Sequence, residues 1–151
     1  MAGSNVLEAT VAWAGESRFI GLSGSGHAAM FDSNMAEGCA PSPMEMLLMS
    51  AGACSSVDVV SILQKAKQQV TGCRVLLRGE RVETIPRVFE RIHLHFEITG
   101  FAVSEKHVER AVNLSAEKYC SVSIMLQQAL SVSHSFSIIE SSVAPIAVAA
   151  E

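Results

Sequence analysis

Leu7, Ala9, Val11 and Trp13 alternate with Glu8, Thr10 and Ala12. This period of two predicts a strand over 7–13 with one buried face. Gly15 and Glu16 predict a turn, 18–22 a second short strand, Ser23-Gly24-Ser25-Gly26 another turn, and 27–32 a third strand. The opening therefore reads as an antiparallel meander. Residues 33–41, with Asn34, Gly38 and Pro41, read as a loop.

The pattern then changes period. Ser42 stands at an N-cap position, Pro43 at the first helical position and Glu45 three residues after the cap, which is a capping box with a proline start. The helix is predicted to run to about residue 70, where Thr71-Gly72 ends it. Its first five turns are almost all apolar or small, as in a central, buried helix. The small run from Ser50 to Ser56 admits close approach by another element. Lys65 and Lys67 suit the C-terminal end of the helix dipole. The apolar stretch 44–63 is long, but Glu45 and Asp58 within it would be costly at membrane depth, so it reads as the core helix of a soluble protein.

Residues 73–82, rich in Val and Leu, predict a strand. Residues 87–99 predict its hairpin partner, with Ile92, Leu94, Phe96 and Ile98 on the buried face and Arg91, His93, His95 and Glu97 on the wet one. Ser104 caps a second helix with apolar positions Val108, Ala111, Val112 and Leu114, ending near Tyr119-Cys120. Ser121 opens a short third helix, and 132–138 is a final strand. The expectation is a single α+β domain, with its core over about 6–139 and a tail over 140–151 that has no assigned partner.

The chain has 151 residues, 49% of them apolar and 17% charged. That is one domain's length with more core material than a monomer of this size buries easily, so an obligate two-fold dimer is expected. The net charge of −4 and the lack of a Lys/Arg cluster argue against nucleic-acid binding. Residues 1–7 carry no signal-peptide pattern, and the four cysteines match no metal knuckle, so reduced thiols in the cytoplasm are expected.

Cys54 lies mid-helix among small neighbours, and Cys120 lies at a helix end. Each alone reads more readily as a buried structural cysteine than as a reactive one. As a pair they suit peroxide reduction, in which one thiolate attacks the O–O bond and a second thiol traps the sulfenic acid. The stretch from Pro41 through Ser42, Pro43, Met44 and Glu45 to Cys54 resembles the central-helix motif of the OsmC/Ohr family. The segment from Ala116 through Tyr119-Cys120-Ser121 to Leu126 resembles that family's second-cysteine segment.

The resemblance covers about residues 11–139. It implies an OsmC-like fold: antiparallel sheets around a long buried central helix, in an intertwined homodimer. It further implies reduction of organic hydroperoxides, and sometimes hydrogen peroxide, with no metal and no bound cofactor. Cys54 would be the peroxidatic cysteine, Cys120 the resolving one, and a small dithiol such as dihydrolipoamide the reductant. The family's peroxidases carry a Glu directly after the helix-start proline, paired with an N-terminal Arg. Here Met44 holds that place and Glu45 follows it, a shift of about 100° around the helix. Arg18 is the sole N-terminal arginine. Glu45 thus reads either as the catalytic acid or as the capping-box acid, and Arg18 either as its partner or as an exposed strand residue.

Asp58, one turn past Cys54, would raise the thiol pKa unless neutralised, and a satisfied structural role is expected for it. His93 and His95 read as wet-face residues or half of a metal site. His27 reads as a turn-flanking residue, and Cys39 and Cys73 as loop and strand cysteines. The alternative function is a catalytically weak module that binds an apolar ligand or senses redox state. A cysteine hydrolase lacks any oxyanion motif.

Overall fold

The structure is a computed structural model and describes residues 5–142. The expected tail over 143–151 lies outside the described residues. The chain divides into two compact units, Met1–Leu47 and Leu48–Glu151.

In the first unit β1 (Ala9–Trp13), β2 (Arg18–Ser23) and β3 (Ala28–Asp32) form the expected meander, each strand antiparallel to the next. Trp13 lies opposite Phe19 and Phe19 opposite Phe31, and Val11 is opposite Gly21, so one face of the sheet is aromatic. All of β1 is exposed, with Val11 at 62% and Trp13 at 70%. The loop after β3 is organised by Asp32. Its carboxylate accepts from Ser17 Oγ at 2.6 Å, Asn34 N at 2.9 Å and Cys39 N at 3.1 Å. These donors, the Ser17 hydroxyl first, hold its pKa at about 2.

The long helix α1 spans Pro43–Lys65 and opens as the sequence predicts. Ser42 N and Ser42 Oγ both donate to the Glu45 carboxylate at 2.7 Å, and Glu45 N donates back to Ser42 Oγ at 3.3 Å. Its end is earlier than expected. Gln68 N donates to Leu63 O and Lys67 N to Gln64 O, both at 3.0 Å, while Lys67 takes φ 59°. This is a Schellman stop with lysine in the left-handed position that glycine usually fills. Thr71-Gly72 therefore lies inside the next strand, β4 (Gln69–Arg81), not at the helix end.

In the second unit β4 pairs antiparallel with β5 (Phe89–Phe101). Ile92, Leu94, Phe96 and Ile98 are all buried, as their alternation predicts. β6 (Ser131–Glu140) joins β5 in parallel, so this sheet is mixed. The parallel pairing follows from the helical crossover that separates the two strands. That crossover comprises α2 (Glu105–Leu114), a π-helical turn (Ser115–Tyr119) and α3 (Ser121–Gln127). Ser104 holds the expected cap position of α2, but its side chain makes no capping bond. α3 is capped by Cys120, not Ser121.

α1 has the length and apolarity to cross a membrane, but it is not buried all round as its composition predicts: one stripe is buried, while Met49 and Val57 are exposed. Ala51, Gly52, Ser55, Val59 and Leu63 are buried. A Cβ on Gly52 would lie 2.7 Å from Leu77 Cδ1 and 3.0 Å from Val75 Cγ1. The small-residue run thus lets β4 press onto the helix backbone.

Candidate functional site

The second unit brings together Cys54 and Cys120, 66 positions apart in sequence. α1 presents Cys54 half-buried, one residue before the fully buried Ser55. The π-helical turn delivers Cys120: its N–H donates to Ser115 O at 2.9 Å, a five-residue step that inserts one residue into the helix end. Ser115 is itself tied to α1. Its hydroxyl lies 3.3 Å from both Ser55 O and the Asp58 carboxylate. Cys120, buried completely, then caps α3.

The two thiols lie close enough to influence each other, Cys120 raising the Cys54 pKa and Cys54 lowering that of Cys120. Their surroundings differ. Cys120 Sγ accepts from Ser55 Oγ at 3.1 Å and from Ser123 N at 3.4 Å, and Ser55 Oγ lies 3.1 Å from Ser123 Oγ. Burial pushes the Cys120 thiol up, but the Ser123 and Ser55 hydroxyls, the Ser123 N–H and the Cys54 thiol outweigh it. The Cys120 pKa is therefore lowered. The Cys54 pKa is raised, chiefly by burial. A Val122 N–H bond opposes this, while Cys120 and the Asp58 charge add to it. The effect expected of Asp58 is present, though small beside burial. Of the two thiols, Cys120 is therefore the more readily ionised.

Both sulfurs draw on the opening turn of α3: Val122 N–H reaches Cys54 and Ser123 N–H reaches Cys120. These amides have no helical acceptor. Ser55, Ser123 and Val122 are the site groups that sequence reasoning passed over. The one available signal was that a serine accompanies each cysteine, in Cys54-Ser55 and Cys120-Ser121-Val122-Ser123.

Of the other candidates, Arg18, His27, Cys39 and Glu45 stand in the first unit, His93 and His95 on β5, and Cys73 on β4. Arg18 pairs with Glu16 at 2.7 Å, and Glu45 is bound by Ser42, so the two are not paired with each other. His93 and His95 form a ladder with β6. The His93 nitrogens lie 2.7 Å from Ser133 Oγ and 2.8 Å from Ser135 Oγ; those of His95 lie 2.7 Å from Ser135 Oγ and 3.1 Å from Ser137 Oγ. Every ring nitrogen has a hydroxyl partner, and among the described residues no cluster of three His, Cys, Asp or Glu side chains is arranged to hold a metal. His27 contacts Ser25 within its own turn at 3.0 Å. Cys39 is an exposed loop cysteine, and Cys73 is a half-buried strand thiol whose pKa is raised by burial.

Comparison with known proteins places this geometry in context. The profile described as OsmC-like protein matches residues 35–135. Protein YhfA of Escherichia coli (strain K12) is 50% identical over 133 residues, covering 88% of this chain and 98% of YhfA. A crystal structure of a hypothetical protein from Aquifex aeolicus VF5 is 33% identical, covers 91% of this chain and 99% of its own, and superposes with a TM-score of 0.81. An organic hydroperoxide resistance protein OsmC from Legionella pneumophila shares the fold at 19% identity and a TM-score of 0.68, covering 89% of this chain and 98% of its own.

Proposed function

The chain belongs to the OsmC-like protein family, and from that premise we propose that it is a thiol peroxidase for organic hydroperoxides. The observation that carries this reading is the proximity of Cys54 and Cys120, each shifting the other's pKa, at the opening turn of α3. The half-buried Cys54 is the sulfur a substrate reaches, and the fully buried Cys120 is the one that follows. The lowered pKa of Cys120 suits its later attack on the sulfenic sulfur as a thiolate, while the raised pKa of Cys54 makes transfer of its proton to Cys120 an uphill step before attack.

Cys54 thiolate displaces alkoxide from ROOH, which leaves as ROH with the proton that Cys120 accepted; Cys54 becomes the sulfenic acid. The Cys120 thiolate attacks that sulfenic sulfur, the S–O bond breaks, and hydroxide leaves as the disulfide closes, taking a proton from solvent to become water. A small external dithiol of the dihydrolipoamide type reduces the disulfide and becomes a disulfide itself. In the same reading Arg18 and Glu45 supply the guanidinium and carboxylate of the family's peroxidases, after exchanging their contacts with Glu16 and Ser42. The protein acts in the cytoplasm as a homodimer. The exposed Val11, Trp13 and Phe19 of the first unit, and Val57 of α1 at 70%, support a second copy as their cover.

One equivalent of cumene hydroperoxide added to reduced protein is expected to remove two hydrogens by intact mass and to give a Cys54–Cys120 crosslink by peptide mapping. Cys54→Ser is expected to abolish turnover, and Cys120→Ser to allow one turnover followed by over-oxidation of Cys54. Full activity in Cys54→Ser refutes the mechanism. The raised Cys54 pKa favours a second reading, an OsmC-like module with weak catalysis that binds an apolar ligand or senses redox state. A Cys54 that stays reduced under the same treatment selects that reading.

A further inference from the structure

A second feature of the larger unit is independent of the dithiol chemistry. A cleft of about 470 Å³ opens between α1 and α2, a size within the range of small-molecule sites. Ile62 and Ala66 of α1, Leu114 of α2 and the Tyr119 ring contribute the apolar part of its lining, and Ser61 and Asp58 part of the polar one. Lys65, from the last turn of α1, and Arg110, from the middle of α2, stand at its rim with the imidazole of His107. Neither Lys65 nor Arg110 has a carboxylate partner among the described residues. The cleft's acid, Asp58, is engaged by the Ser115 hydroxyl at 3.3 Å. Lys118 sits 5.4 Å over the Tyr119 ring and adds further positive charge nearby.

A cluster of unpaired cations is unusual on a chain of net charge −4. An isolated surface lysine or arginine is ordinarily just solvated. Here two of them, from different helices, line one concave surface that also carries apolar side chains. An apolar wall with charge at the rim matches a ligand built the same way: an apolar body ending in an anionic group. We propose that the α1–α2 cleft binds an amphipathic organic anion, with the carboxylate between Lys65 and Arg110 and the hydrocarbon against Ile62, Leu114 and Tyr119. The inference needs no turnover at Cys54.

Decanoate is the probe and decanol its uncharged match, each titrated calorimetrically into the full reduced chain. Tyr119 is the single tyrosine, so its ring resonances report on the cleft directly. Decanoate is expected to bind and to shift those resonances, with decanol at least about tenfold weaker. Lys65→Gln and Arg110→Gln should each weaken decanoate about fivefold and together about 25-fold, as for partly exposed charge contacts acting independently. Arg110→Lys should recover part of the loss, and added salt should weaken binding to the wild type more than to the double variant. Equal affinity for decanol, unchanged affinity in the double variant, unmoved Tyr119 resonances or no decanoate binding would each overturn the proposal. Cys54→Ser protein should bind decanoate as the wild type does, which separates failure of this site from failure of the peroxidase reading.

Discussion

Removing one hydroxyl tests what sets the charge on the dithiol. Ser55 is fully buried, and its Oγ lies 3.1 Å from Cys120 Sγ. Ser55→Ala deletes that donor while the Ser55 carbonyl keeps its bond from Ser115 Oγ, so the helix contact that positions the site survives. A hydrogen bond to a charged acceptor contributes about 1.5–3 kcal/mol, and about 1.4 kcal/mol corresponds to one pKa unit. Sulfur is a weak acceptor, and the Ser123 hydroxyl and N–H remain beside Cys120, so the lower end applies. The Cys120 pKa is expected to rise by about one unit. The Cβ carbon shift of labelled cysteine follows each thiol separately through a pH titration. In a Cys54→Ser background, which removes the coupled partner, comparison with and without Ser55→Ala isolates the hydroxyl. Ser123→Ala should act in the same direction and at least as strongly, because the Ser123 hydroxyl lowers the Cys120 pKa more than the Ser55 hydroxyl does. An unmoved Cys120 midpoint in both variants, with the fold intact, refutes the idea that these serines hold the thiolate.

Three other outcomes follow from the packing. Gly52→Val places side-chain atoms into Leu77 and Val75 and should cost about 2–3 kcal/mol in chemical denaturation. Lys67→Gly relieves the left-handed lysine at φ 59° and should raise the denaturation midpoint by an amount equivalent to about 1 kcal/mol; a lowered midpoint refutes the Schellman reading. Asp32 has a folded pKa of about 2 against about 4 unfolded. A depressed pKa gives stability that is present above the unfolded value and lost as pH falls through the folded one. Acid unfolding should therefore sharpen between about pH 4 and pH 2, and Asp32→Asn, measured by circular dichroism, should flatten the curve there while lowering stability at neutral pH.

Much of the fold was legible because local chemistry dictates local structure. The capping box Ser42–Glu45 formed as its spacing predicts, since both partners lie within one turn. The alternation of Ile92, Leu94, Phe96 and Ile98 named the buried face because a strand puts every second side chain on one side. The small run in α1 announced a close approach without saying by what. The end of α1 was misplaced because backbone bonds closed a stop at Lys67, a residue with no propensity for that role. The parallel pairing of β6 depends on a crossover whose path no local pattern records.

The candidate site divides in the same way. Residue types and neighbours pointed to Cys54 and Cys120 from sequence. Only the tertiary structure decided that they lie close together and that Ser55, Ser123 and the Val122 amide attend them. It also decided that burial and hydrogen bonding push the two thiols in opposite directions. Ionisation depends on desolvation and on donors within a few ångströms, and those arise from contacts between segments far apart in the chain. Composition and periodicity carry backbone preference and burial, which are local or nearly so; the electrostatic character of a thiol is a property of its three-dimensional surroundings.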